Sequence, residues 1–473
     1  MALPALSLPH ILSSHQKPAN WETTLQRVEE DHTRWANTQA QTDTSTFPTL
    51  HIDDLSGIPF TQNVVGVEQY QLRARVRAKT GDLFAATCPA MLDYEWYNRT
   101  VLQLGRPTFI HADGGTRPAA VASACQSGFA AQQLAAIARH HGGLVIHPYM
   151  GIAPIWELAE ELRQRSGTPI TVLSSTPAAT TLANNKVYFT KLVQEKLHPD
   201  CVAPSRFASQ PEDIVMALYD LSRAHDTVAL KMPECASSTG IECFSRHQIE
   251  HSSYEELHRA VTVFLTEKQW EPQTPIQIVA WLDASHSPSS QVWIPANPAK
   301  PAIVQGVYEQ LFTGSDNMFL GSIPSPLSNR LKQAISTLSI QAATQLRKLG
   351  MIGRCSFDFI VHNGRPILIE CNGRWGGTST PMHLVDRIFP KQRPAYIAKD
   401  VQSDTWVGCT FKELAHRFGK TLYNPATGQG TYILYNVGCL ETSGKFDVIA
   451  IGSTPAEAKK AMMDDLPTII KNP

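Results

Sequence analysis

The chain has 473 residues, a length that favours two or three domains over a single core. Apolar residues make up 42% and charged residues 18%, with a formal net charge of -1, so no basic field exists to hold nucleic acid or an anionic membrane, and neither is expected as a partner. No apolar run approaches the roughly 18 residues of a membrane span, and the N-terminus lacks a signal-peptide pattern; nine cysteines without a CxxC pair fit a reducing, cytoplasmic setting and argue against a zinc site or a disulfide scaffold.

Residues 1–65 are polar, hold one expected helix at 21–38 and read as an N-terminal arm. Over 66–180, strands at 108–111, 144–147 and 170–174 alternate with helices at 119–140 and 155–165, which implies βαβ units and a parallel sheet. The carboxyl ends of such strands meet ligands, so Asp113-Gly114-Gly115 and Pro148-Tyr149-Met150-Gly151 are either site loops or plain turns. Over 181–275 come helices at 182–197 and 212–225, a strand at 227–232 and a helix at 254–269. Over 276–400 come strand runs at 276–282 and 291–295, a long helix at 329–349 and a hairpin at 355–370. Residues 401–473 carry strand runs at 431–436 and 446–451 and then a helix, and read as a small terminal α+β piece.

The hairpin carries the clearest chemistry. Asp358 sits in its first apolar strand, and Glu370 and Asn372, two residues apart and hence on one face, sit in its second. A three-residue loop, Asn363 to Arg365, sets Asp358 opposite Glu370. A two-residue loop at Asn363-Gly364 sets it opposite Ile369 and turns the acids to opposite faces. Convergence therefore requires the longer loop or a bulge. Two carboxylates and an amide oxygen are hard ligands that suit Mg²⁺ beside nucleotide phosphates; the alternative is a pair of acids on a solvated hairpin face.

Arg374, one step further on the same face, can aim a bidentate fork at a phosphate or carboxylate. The turn Gly376-Gly377-Thr378-Ser379-Thr380 offers backbone and hydroxyl donors to an anion, or is simply a loop. Upstream, Lys231 closes an apolar strand and Lys186 opens a helix; each either lies along a phosphate chain or snorkels at the surface. After Lys231 comes a small hydroxyl-rich loop with Ser237, Ser238, Thr239 and Gly240.

In this order the segments resemble the ATP-grasp superfamily over roughly residues 182–390. The run from Asn372 to Pro381 is most similar to the branch that contains the pheganomycin-type peptide ligases, whose ATP-grasp domain follows a pre-ATP-grasp domain, and residues 75–89 are similar to the start of that preceding domain. The resemblance implies a parallel-sheet α/β pre-ATP-grasp domain at 66–180, ATP-grasp lobes at 181–275 and 276–400, and the α+β segment at 401–473. It implies ATP with Mg²⁺, or Mn²⁺ in its place, as cofactors. Lys186 and Lys231 would meet the α- and β-phosphates, Ser237 to Gly240 would cover the β- and γ-phosphates, and Asp358, Glu370 and Asn372 would bind metal. Ala280, Trp281 and Leu282 would form the hinge, with the backbone of Ala280 and Leu282 on the adenine edge and Asp283 at the ribose. Arg374 and Lys231 would be catalytic, and Arg374, Gly376, Gly377, Thr378 and Ser379 would touch substrate, joined by Thr380 and, from the preceding domain, Asp113 or Tyr149.

Two departures stand out: Ile278, Val279 and Ala280 occupy positions where many relatives carry Glu or Gln, and the loop has one glycine where many have two or three. The implied activity is an ADP-forming carboxylate–amine ligase. It makes an amide (peptide) bond between a small-molecule carboxylate, an amino acid or peptide, and an amine, through an acyl phosphate. A small-molecule kinase and a non-catalytic nucleotide binder are the alternatives. Relatives are often dimers, so a homodimer is allowed.

Overall fold

A computed structural model describes residues 21–58, 66–234, 240–272, 274–312 and 319–471. Three sheets organise them. The first has five parallel strands, in the order Thr108–His111, Leu83–Ala86, Thr49–Ile52, Leu144–Pro148, Ile170–Val172. Helices Gly128–His141 and Ala153–Ser166 pack on it, so the apolar strands are covered as parallel sheets require.

Two expectations change here. Thr49–Ile52 is the middle strand, with Leu50 and Ile52 fully buried, so the sheet takes in residues read as N-terminal arm. Its four residues lie in polar surroundings, too short a run to show periodicity. The helix expected at 119–140 is two, Val121–Ala124 and Gly128–His141, broken where Gly128 takes φ 64°.

The second sheet is antiparallel, ordered Ser205–Ala208, Ile276–Ala280, Thr227–Lys231, Ile241–Ser245, and is covered by helices Pro211–Ser222 and Tyr254–Glu267. Ile276–Ala280, expected to open the second lobe, belongs to this sheet, where Ile276 and Ile278 fill the core.

The third sheet has eight strands, running Arg365–Asn372, Gly353–His362, Pro288–Ile294, Ile303–Phe312, Phe319–Pro324, Ala395–Gln402, Lys445–Gly452, Tyr432–Tyr435. Its last two strands come from residues 401–473, so that segment continues the sheet rather than forming a separate piece. Helix Asn329–Lys348 buries Ile335, Ala342 and Leu346 against the half of the sheet that holds Gly353–His362 and Arg365–Asn372.

The helix expected at 182–197 is also divided, into Pro177–Asn184 and Lys186–Lys196. Asn185 between them is extended, and its side chain accepts hydrogen bonds from the amides of Val187 and Tyr188. Asparagine is among the best residues for that capping role, which fixes where the second helix begins. Among the described residues no helix is long and apolar enough to cross a membrane, and the eight described cysteines are free.

Candidate functional site

The hairpin that carries Asp358 and Glu370 turns at Asn363 and Gly364, whose φ values are 48° and 72°. Two central residues with positive φ make the tight two-residue turn that suits the strand twist. His362 accordingly pairs with Arg365, and the ladder runs regularly to Phe359 opposite Leu368. It then shifts: Asp358 pairs with Glu370, and Ile369 is the extra residue. The chain therefore reaches convergence by the bulge, not by a longer loop.

Asn372 pairs one step along with Ser356, and its Nδ2 donates to Asp358 Oδ2 at 3.0 Å. Ser289, directly opposite Asp358 on the next strand, also hydrogen-bonds the carboxylate. Burial and the charge of Glu370 nevertheless push the Asp358 carboxyl up to about 6. Burial would raise Glu370 as well, but Lys186 and Lys231 outweigh it and hold that carboxyl below its ordinary range. Lys186 Nζ stands 3.1 Å from Glu370 Oε2, and both lysines are more than nine-tenths buried. The Lys186 amide donates to Pro233 O at 2.8 Å, which ties the helix start to the segment leaving Lys231.

No group of three His, Cys, Asp or Glu side chains able to hold a metal occurs among the described residues. The set here is two acids and an amide. Like charges facing each other across a strand pair are destabilising unless a cation lies between them. A divalent cation with oxygen preference fits that donor set.

Arg374 stands at a junction of three elements. Its Nη2 donates to Asn372 Oδ1 at 3.0 Å, and its Nη1 to Tyr149 Oη at 3.3 Å and Trp375 O at 3.0 Å. Met150 and Arg374 form a β-bridge, and the Trp375 amide donates to Tyr149 O at 3.0 Å. The carboxyl end of a parallel strand is thus stitched to the strand that carries the candidate metal ligands. Asn184 Oδ1 accepts from the Gly373 amide at 3.1 Å, which adds the helix that precedes Lys186.

Other expected residues fall differently. Ser237, Ser238 and Thr239 lie outside the described residues, while Gly240 O accepts from the Met232 amide at 2.9 Å. At the expected hinge, the Ala280 amide already donates to Pro204 O and the Trp281 amide to Thr227 O, each at 2.9 Å, so those two donors are spent inside the sheet. Trp281 and Asp283 are exposed, while Leu282 between them is half-buried against an apolar cluster that includes Ala229, Val279 and Ile367. The Asp283 carbonyl meets the ring of His362 at 2.8 Å.

Thr378, Ser379 and Thr380 are buried, and Ser379 Oγ accepts from the Gly376 amide at 2.7 Å, so the Ser379 hydroxyl serves the turn that starts helix Ser379–Ile388. Gly377 is exposed; a Cβ there would stand 2.5 Å from the Phe319 ring. Asp113 Oδ1 accepts from the Gly115 amide at 3.0 Å and makes no printed contact with the cluster among the described residues. Sequence reasoning missed Asn184, Asn185 and Ser289. Asn185 had a signal, since an asparagine just before a helix is a favoured cap, while Asn184 and Ser289 had none.

Compared by sequence, the chain matches no family profile and no curated protein. Compared by structure, it is similar to an N5-carboxyaminoimidazole ribonucleotide synthetase solved with ADP, at TM-score 0.54 and 12% identity, over 90% of this chain and 96% of that one. It is similar to the corresponding synthase of Aspergillus clavatus with ADP and 5-aminoimidazole ribonucleotide, at TM-score 0.54 and 10% identity, over 90% and 99%. It is also similar to the biotin carboxylase domain of Hydrogenobacter thermophilus 2-oxoglutarate carboxylase with MgADP and bicarbonate, at TM-score 0.51 and 13% identity, over 90% of each. The chain is therefore built on the fold of ATP-grasp enzymes that begin with a parallel-sheet domain.

Proposed function

We propose that the chain is a Mg²⁺- and ATP-dependent, ADP-forming ligase that joins a carboxylate to an amine, with an amide (peptide) bond as product. The observation that carries this reading is the meeting of Asp358, Glu370 and Asn372 with Lys186 and Arg374 on one face of the hairpin. In its support, the structurally similar enzymes named above were solved with ADP or MgADP.

In this reading the domains are a parallel-sheet domain, an ATP-grasp lobe around the four-stranded sheet and a second lobe around the eight-stranded sheet. Lys186 and Lys231 neutralise the phosphate chain from the first lobe, beside Gly240. Leu282 and Asp283 face the nucleoside. When bound, the divalent ion supplies charge neutralisation at the terminal phosphates, and Asp358, Glu370 and Asn372 hold it. A substrate carboxylate oxygen bonds to the γ-phosphorus, the bond to the β–γ bridging oxygen breaks, and ADP leaves. Arg374 steadies the oxygens of the transferring group. The amine then bonds to the acyl carbon, and phosphate leaves as the amine loses a proton. The protein's work is positioning and charge screening.

Incubation with ATP, Mg²⁺ and pools of amino acids tests this by following nucleotide products. ADP and phosphate released in an amine-dependent way are expected. AMP and pyrophosphate overturn the acyl-phosphate route, ADP formed without any amine dependence points to the kinase, and no release with any pool points to the binder.

A further inference from the structure

Three successive polar residues, Ser289, Ser290 and Gln291, lie almost fully buried in the strand Pro288–Ile294. Side chains alternate along a strand, so Ser290 points to one face of the sheet and Ser289 and Gln291 to the other. Packing accounts for Ser290, whose Oγ meets Ser339 Oγ of helix Asn329–Lys348 at 2.7 Å. Ser289 and Gln291 lie on the opposite face, where Ser289 stands across from Asp358 and Gln291 across from Ser356. A buried hydroxyl and a buried amide cost free energy that apolar side chains would not, unless each is hydrogen-bonded.

Their hydrogen bonds run in one direction. Gln291 Nε2 donates to Ser289 Oγ at 3.0 Å. That bond occupies a lone pair of the hydroxyl and leaves its single hydrogen for the Asp358 carboxylate, to which Ser289 is hydrogen-bonded. A second relay reaches the same carboxylate from the strand on its other side. Arg374 Nη2, which can only donate, meets Asn372 Oδ1, and this turns Asn372 Nδ2 onto Asp358 Oδ2. Asp358 therefore sits on the middle one of three strands and takes one donor from each neighbour. A carboxylate has about four lone-pair positions, so two donors fix its plane and still leave oxygen free for a cation shared with Glu370, its partner across the hairpin.

We propose that Ser289 and Gln291 are positioning residues for the divalent-cation site, an amide-to-hydroxyl relay that holds the Asp358 carboxylate in the orientation that ligates. The inference deepens the ligase reading and rests on its cation site. Ser289 acts through Asp358, and Gln291 acts through Ser289 by aiming the hydroxyl hydrogen. Groups that orient a metal ligand in this way govern affinity for the ion without touching it.

The test is titration of the full chain with Mn²⁺ alone, free ion being read by electron paramagnetic resonance, alongside thermal unfolding without metal. Ser289→Ala is expected to weaken Mn²⁺ binding about tenfold, and Ser289→Thr, which keeps the hydroxyl, to recover most of the loss. Gln291→Leu is expected to weaken binding to a smaller extent. The double variant is expected to bind no more weakly than Ser289→Ala, because the amide has no route to Asp358 except through the hydroxyl. Ser290→Ala, equally buried on the other face, is expected to lower Tm and leave Mn²⁺ affinity unchanged. Unchanged affinity in Ser289→Ala, an equal loss in Ser290→Ala, or additive losses in the double variant overturns the relay. If Ser289→Ala does not fold, unchanged affinity in Gln291→Leu does the same. A wild type that binds no Mn²⁺ overturns the cation site together with the relay, whereas a wild type that binds while Ser289→Ala matches it overturns the relay alone, so the two failures are distinguishable.

Discussion

Asp358 and Glu370 face each other across their hairpin because one residue, Ile369, is inserted between two regular stretches of ladder. The tight turn at Asn363-Gly364 would otherwise place Glu370 one position out of step, on the opposite face. Two acids brought together in this way are a cost that a bound cation relieves, and the first prediction follows from that.

Asp358→Asn should stabilise the metal-free protein and abolish turnover. The sign is set by the raised carboxyl: with a folded-state value near 6 against an ordinary 3.8, the folded protein holds this proton longer than the unfolded chain. Its contribution to stability is therefore favourable only at low pH and is lost as pH rises from about 4 through 6. At pH 7 the variant should be more stable by about 1–2 kcal/mol, the direct shift discounted for coupling to Glu370. The difference between the two proteins should vanish below about pH 4. Mg²⁺ should raise the Tm of the wild type and not of the variant. Urea or thermal unfolding across pH, with and without Mg²⁺, checks it; an unstable variant at pH 7 would contradict it.

Lys186→Met should lose on the order of 10²-fold or more in ADP formation. The ammonium is buried against Glu370, so its removal takes a charge from the phosphate chain and also leaves Glu370 without its nearest cation. The Glu370 carboxyl should then rise from its depressed range, and Mg²⁺ affinity should weaken along with ATP affinity. Titrating both ligands separately by calorimetry would show the paired loss. Weaker ATP binding with untouched Mg²⁺ binding would separate the lysine from the acids.

Asn185→Ala should cost about 1 kcal/mol of stability through loss of the helix cap. Its side chain accepts from the amides of Val187 and Tyr188 and donates to Glu234 at 3.3 Å. Because this cap fixes the direction of the helix whose first residue is Lys186, KM for ATP should rise as well. Asn185→Asp or Asn185→Ser should recover most of the stability, measured by urea unfolding.

Gly151→Ala should destabilise the chain by about 3 kcal/mol or more, well beyond a surface glycine substitution. A Cβ there would stand 2.0 Å from Ser175 O, a backbone atom that has no rotamer to change. Met150, its neighbour, bridges to Arg374, so the distortion falls on the seam that positions this arginine. Gly115→Ala has open space around the new methyl and serves as the control for crowding, although its positive φ costs something by itself. Unfolding free energies of the two variants decide it.

Sequence alone determined a good deal. Alternating apolar strands and helices announced the parallel sheet, and the Asp358, Glu370, Asn372 pattern announced the oxygen-rich cluster, because period and residue chemistry are local properties. Arithmetic on the hairpin stated what register convergence required. It left loop or bulge open, since a bulge has no residue signature of its own here. Tertiary structure decided that Thr49–Ile52, four residues in polar surroundings, is the centre of a sheet, and that Ile276–Ala280 and the strands after residue 401 join the sheets they do. It alone decided that Tyr149 meets Arg374, and Arg73 stacks on Tyr149, from elsewhere in the chain. Strand partnership and the meeting of distant charges depend on which buried surfaces find each other in space, and no stretch of sequence carries that information by itself.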